Sequence, residues 1–377
     1  MSNNNKPGKK KILIVSRMFH PVNSPRAFRT TELVKEFARE GHDVTLYTVK
    51  NDEHHVPFEQ EYGVAIKDLG EPVMRDFNTS GGRVKNITAR AVNRGLSLLF
   101  EYPNIELMWR VKRALKSEKG YDLLISIAVP YPIHWGVAAA RRPDHPIANT
   151  WVADCGDPYM GQETDSFNKL FYFKYVEKWF CRKADYLSIP IEDAKTAYYS
   201  ECRDKIEVIP QGFNFEESAP DTTLYEPNSV PTFAYAGGLM PGSRDPRSFL
   251  ERLVSLDNEY RFILYTRSRH LVEPYLDRAN GRIEIRDYIP RKKLLKKLSR
   301  MDFLVNFENS TSVQLPSKLI DYHLAGRPVL SVDGLKPDMD NLVQFLNGNY
   351  TGRYPYNGVD RYRIENVCAK FLGLCGG

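Results

Sequence analysis

Lysine sits badly in the first turn of a helix, because the positive end of the helix dipole repels it unless an anion lies nearby. Lys318 is placed in that way in the run Leu315-Pro316-Ser317-Lys318-Leu319-Ile320-Asp321-Tyr322-His323-Leu324-Ala325-Gly326-Arg327-Pro328-Val329. Pro316 suits a helix start and Gly326 a helix stop, so Ser317 and Lys318 fall at the amino end, where anions are favoured. Asp321 lies three residues on, on the same helix face, and a carboxylate there can accept bonds from vicinal ribose hydroxyls. A surface Lys–Asp pair is the bland alternative. A second candidate is Gly237-Gly238 at a strand end, followed by Pro241-Gly242-Ser243-Arg244-Asp245-Pro246. Glycines there let a phosphate approach the backbone, the next helix offers its amide end, and Arg244 can clamp two oxygens at once. The alternative is an ordinary turn. Neither GxxxxGK[ST] nor GxGxxG is present.

Those residues need strands and helices in alternation to hold them. Ile12-Leu13-Ile14-Val15 reads as a strand buried on both faces, followed by a loop, a helix through Phe37 and Ala38, and a second strand over Asp43–Thr48. Further strands are expected at 123–127, 150–153, 186–189 and 206–209, then at 233–236, 262–265, 283–285, 303–305 and 329–331. Helices fit at 167–183, 246–255, 291–300 and 316–324. The polar stretch 213–231 reads as a linker. The expected organisation is α/β: residues 1–212 as one Rossmann-like unit, a 213–231 linker, and 232–377 as a second, wound alike and facing it across a cleft.

The chain has 377 residues, enough for two α/β domains, and 42% hydrophobic content supplies their cores. A net charge of +6 favours phosphate-bearing ligands or an anionic membrane surface. The five cysteines form no CxxC pair, which argues against a disulfide framework and structural zinc. No apolar run is long enough for a signal peptide or a membrane span, so the expected location is cytoplasmic, at most peripheral to a membrane. No aromatic–basic module suggests nucleic acid.

The pattern Pro-x-Lys-x-x-acid-x-x-x-Ala-Gly-x-Pro-Val at 316–329 resembles the signature of GT-B-fold glycosyltransferases, especially glycosyltransferase family 4. Four other segments resemble that family in the right order: Glu40-Gly41-His42-Asp43-Val44, Trp151-Val152-Ala153-Asp154-Cys155-Gly156-Asp157-Pro158, Val208-Ile209-Pro210-Gln211-Gly212-Phe213-Asn214 and Tyr235-Ala236-Gly237-Gly238-Leu239. The resemblance implies a retaining, metal-independent transferase that moves a sugar from a nucleotide sugar (UDP- or GDP-type) to a glycan or lipid-linked acceptor in surface polysaccharide or glycolipid synthesis. It assigns the donor diphosphate to Arg244, Lys318, Ser317 and the Gly237-Gly238 backbone, and the ribose to Asp321. The base falls to Arg267, Tyr288 and Ile289. The loop holding His20 and Arg26 would face acceptor and phosphate, and Asp157, with Asp154, would orient the acceptor hydroxyl. No metal or other cofactor is implied.

Three positions depart from the family pattern. Val313 stands where a glutamate is usual, Asn23-Ser24-Pro25-Arg26 replaces a glycine pair, and Gly238 replaces an arginine, which places more weight on Arg244. Arg83 to Lys119 is rich in bases interleaved with apolar residues. It reads either as a basic amphipathic surface for anionic lipid or as a helical hairpin packed on its own domain. A sugar-nucleotide 2-epimerase and a non-catalytic partner subunit are the other readings of the fold.

Overall fold

Strands that are apolar on both faces must be covered on both, so they collect into parallel sheets with helices on either side. A computed structural model describes residues 8–77, 83–161, 169–218, 220, 223, 225–308, 317–356 and 358–376. Two units emerge: Met1–Phe213 with Asp360–Gly377, and Asn214–Val359.

The first unit runs β1 (Lys11–Ser16), α1 (Pro25–Arg39), β2 (Asp43–Thr48), α2 (Asp52–Tyr62), β3 (Ala65–Asp68), α3 (Arg83–Phe100), α4 (Glu106–Ala114), β4 (Tyr121–Ile127), α5 (Pro132–Ala140), β5 (Ala148–Asp154), α6 (Phe173–Lys183), β6 (Tyr186–Ile189), α7 (Ser200–Arg203) and β7 (Ile206–Val208). Its sheet has the order β3-β2-β1-β4-β5-β6-β7, and every pairing is parallel. Ser24 caps α1 by accepting the Ala27 amide, with Pro25 in the first turn. α4 buries Leu107 and Val111 in the core that also holds α5 and α6. It passes so close to Gly136 of α5 that a Cβ there would lie 2.6 Å from the Val111 side chain.

The second unit runs α8 (Phe215–Ser218), β8 (Thr232–Ala236), α9 (Arg247–Val254), β9 (Arg261–Tyr265), α10 (Leu276–Ala279), β10 (Ile283–Arg286), α11 (Arg291–Leu298), β11 (Phe303–Phe307), α12 (Ser317–Leu324), β12 (Val329–Val332) and α13 (Met339–Leu346). Its parallel sheet has the order β10-β9-β8-β11-β12. The winding reverses between β1 and β4 and between β8 and β11, and ligands of such sheets gather beyond the carboxyl strand ends near that reversal.

Three expectations change. The last helix, α14 (Ile364–Gly373), belongs to the first unit, not to a 232–377 domain. Ile364, Val367, Cys368 and Phe371 are buried with Phe37 of α1 and Ile14 of β1, so burial overrides sequence order. The stretch read as a linker is bound into the second unit: the Tyr225 hydroxyl and the Asn228 amide both donate to Asp302. Finally, β3 was not anticipated; only one of its four residues is buried, so it carries little apolar signal.

Candidate active site

The carboxyl ends of β8 and β9 open into a cavity of about 250 Å³ in the second unit. Gly237, Gly238, Arg244, Tyr288, Ile289, Lys318 and Asp321 line it together, so seven of the expected donor residues share one space. Gly237 has φ +147°, outside the range side chains readily adopt, and its amide donates to the Tyr265 carbonyl. The Tyr322 hydroxyl accepts the Ala236 amide, and the Tyr235 hydroxyl donates to the Gly238 carbonyl. Two tyrosines thereby fix the turn at which a phosphate would meet backbone.

Lys318 reaches back from α12. Its ammonium donates to the Phe307 carbonyl at 3.2 Å and lies 4.9 Å from the centre of the Tyr235 ring. Burial, and then the nearby charge of Arg244, push it down to about 7. Among the described residues no carboxylate pairs with Lys318 or Arg244, and the buried Arg244 Nε has no hydrogen-bond partner. The two acids nearby in sequence are committed elsewhere. Asp245 holds the Arg247 guanidinium and the amides of Gly242 and Arg247, and stays ionised down to about 2 through those bonds. Asp245 thus takes the first amide of α9, the helix end that was expected to be offered to a ligand. Asp321 takes Arg291 on its Oδ1, at 2.8 Å from Nε and 2.7 Å from Nη2. Burial raises its carboxyl against that pull.

Arg267 stands outside the cavity lining and stacks on Tyr288 at its rim, 5.2 Å from the ring centre. The Ser317 side chain and residues 309–316, Val313 included, lie outside the described residues. Arg291 was missed in the sequence, where it heads a run of bases that looks like a solvated helix. The signal available was its position directly after Pro290, at a helix start.

In the first unit, Asp154 ends β5 and is buried. Arg29 binds it through two nitrogens, at 2.6 and 2.7 Å, and Ser188 donates at 2.5 Å. Arg26 adds a contact at 3.6 Å. Burial alone would raise this carboxyl; Arg29, Arg26 and Ser188 hold it below the usual range. Arg29 also donates to the carbonyls of Ile209 and Pro210. A carboxylate so enclosed does not meet reacting atoms, so the expected catalytic role of Asp154 is replaced by one of positioning. Arg26 lies over Gly156, where a Cβ would come 2.3 Å from its guanidinium. Asp157 is exposed beyond that turn, and its carbonyl accepts the Tyr131 hydroxyl. Arg29 could have been found in the sequence: it lies four and eight residues before Leu33 and Phe37, on the buried stripe of α1.

The family model for Glycosyltransferase Family 4 matches residues 28–217. The chain belongs to Glycosyltransferase Family 4. It is a glycosyltransferase, and solved GT-B structures share its α/β two-domain fold. The structure of TarM, from S. aureus, is 10% identical, with a TM-score of 0.61 over 99% of this chain and 100% of that one. Anabaena HepE, in complex with UDP and glucose, is 11% identical, with a TM-score of 0.56 over 97% and 98%. The lipopolysaccharide outer core galactosyltransferase WaaB is 11% identical, with a TM-score of 0.55 over 97% and 98%. No curated protein matches the chain.

Breaking a buried ion pair by removing one partner costs about 3–5 kcal/mol. Arg29→Met is therefore expected to lower the stability of the transferase by that amount at pH 7, read from the urea midpoint. The depressed Asp154 carboxyl contributes stability above its unfolded pKa, and this is lost as pH falls through the folded one. A loss below about 1 kcal/mol in the same titration would remove Asp154 from its positioning role.

Proposed function

We propose that the chain is a retaining transferase that takes a sugar from a UDP- or GDP-type donor and passes it to a glycan or lipid-linked acceptor, without a bound metal. The observation that carries this is the Arg244–Lys318 pair: two basic side chains that line one cavity, with no carboxylate paired to either among the described residues. As the bond from the anomeric carbon to the diphosphate oxygen breaks, negative charge builds on the leaving phosphate. Fixed cations aimed there stabilise that charge more than they stabilise the ground state. Asp321 suits the ribose, and Tyr288, Ile289 and Arg267 the base. The sugar, left electron-poor at its anomeric carbon, then takes the acceptor hydroxyl, which Asp157 orients. UDP is the first nucleotide to try, since the HepE structure holds it.

The acceptor also bears on the membrane. No helix among the described residues is long and apolar enough to cross one. The first unit, however, exposes Val73, Phe77, Phe100, Trp109 and Phe171. Hydrogen bonds of Met74 to Glu106, Phe77 to Asn93 and Tyr172 to Leu99 bring their segments side by side. Arg90, Arg94, Lys112 and Lys174 belong to the same elements, a combination that suits an anionic leaflet of a lipid-linked substrate. α4 packs on α5 in its own unit, which supports a reading in which the exposed side chains would meet lipid.

UDP or GDP is expected to raise the melting temperature, and Lys318→Met to weaken its binding at least about tenfold, near 1.4 kcal/mol. NMR of the product made from an α-linked donor is expected to show an α linkage; a β linkage would overturn retention. Vesicles containing phosphatidylglycerol are expected to float the protein, and Trp109→Ser with Phe77→Ser to reduce that. Equal flotation on neutral vesicles would remove the electrostatic part.

A further inference from the structure

A second cavity, of about 550 Å³, lies in the first unit beyond the carboxyl ends of β1, β2 and β3. Three segments build it, and two of them contribute basic groups: Arg17 and His20 after β1, and Lys50 and His54 after β2. Phe19, Val22 and Pro72 supply an apolar wall. Glu71, after β3, is the one acid among its lining residues.

The walls are held in place by bonds that leave these groups available. His55 accepts the Asn51 amide on Nδ1 at 3.0 Å, so its proton is on Nε2, which donates to the His20 carbonyl at 2.7 Å. One neutral imidazole thereby ties the start of α2 to the loop after β1. Phe19 packs edge-on against both His55 and Phe58 beneath it. The rings of His20 and His54 stand 6.3 Å apart at the mouth.

Charge is not balanced evenly. Lys50 is already met by Glu59 at 2.9 Å and Asp52 at 3.9 Å. Arg17 is not: its guanidinium donates to the neutral side-chain amide of Asn104, and among the described residues no carboxylate pairs with it. Burial, reinforced by the influence of Lys35, His54 and His55, disfavours the protonated form of His20, with only Glu61 opposing, so Arg17 is the cation among the described lining residues that no carboxylate answers. A guanidinium beside two imidazoles in a cavity with an apolar wall fits a sugar ring that carries an acidic group.

We infer that this cavity receives the acceptor, and that the acceptor is an anionic glycan whose carboxylate or phosphate is gripped by Arg17, His20 and His54. The inference rests on the transferase reading above, and supplies the acceptor class which that reading leaves open. Arg17 gives the planar, two-pronged contact. The imidazoles add donors at the rim, and Phe19 and Val22 cover the ring's apolar face.

The test follows the imidazole proton resonances of the full-length protein at pH 7 while three probes are added: maltotriose, trigalacturonate and glucose 6-phosphate. At least one acidic probe is expected to shift His20 and His54 and to bind at least tenfold more tightly than maltotriose. Which of the two does so tells carboxylate from phosphate. Arg17→Gln and His54→Gln are each expected to weaken that binding at least fivefold, while the UDP thermal shift stays. Maltotriose binding as tightly as both acids, no shift with either acid, or no effect of both substitutions would overturn the inference. Loss of acid binding with the UDP response intact defeats this inference alone. Acid binding without any response to either UDP or GDP defeats the proposed donor reading, and the acceptor role with it.

Discussion

Two positive side chains that line one cavity repel each other, and a fold tolerates that only if something else offsets it. In the second unit Arg244 and Lys318 are such a pair, with the ammonium of Lys318 driven down to about 7 by burial and by its neighbour. The nearby acids are bound to other cations: Arg247 occupies Asp245, and Arg291 occupies Asp321, which lines the same cavity. Tyr235 and Tyr322 then fix the glycine turn against which the missing negative charge would rest. The cavity thus holds two basic side chains and, among the described residues, no carboxylate paired with either.

The first unit solves the opposite problem. Its buried carboxylate, Asp154, is fully answered by Arg29, Arg26 and Ser188. That network ties α1, β5, β6 and the segment after β7 into one edge of the sheet. Rigid support of this kind sets where Arg26 and the exposed Asp157 stand. Beyond β1, Arg17 has no carboxylate paired with it among the described residues. Both units thus hold ion pairs in the framework and, among the described residues, basic side chains without a paired carboxylate at the carboxyl strand ends.

How much of this could be read from residues alone depends on how local the signal is. The doubly apolar strands and the Pro-Ser-Lys helix start are local, and both units follow from them. Lys318 was legible because its position conflicts with the helix dipole. The partner of Asp321 was not, since Arg291 lies thirty residues away in a run of bases that resembles a solvated face. Asp154 was misread because its environment comes from α1 and β6, and sequence shows a strand-end acid but not its enclosure. The α14 helix was placed in the wrong unit for a similar reason: Val367 and Phe371 give an apolar stripe but not the sheet it covers. Of the cavity after β1 and β2, only the His20 loop was anticipated, because Lys50 and His54 come from a separate segment that carries no motif.

The most direct test is of the charge itself. With a site pKa of about 7, Lys318 is about one-tenth protonated at pH 8, and a diphosphate bound against it restores the proton. Calorimetry of UDP binding at pH 8, in buffers of different ionisation enthalpy, is expected to show uptake of up to about 0.9 proton. The lysine's share disappears at pH 6, where it is already charged, and the uptake at pH 8 is absent in Lys318→Met. Binding at pH 8 with no proton uptake, or with uptake unchanged in Lys318→Met, would contradict the claim that this cation pair awaits a diphosphate.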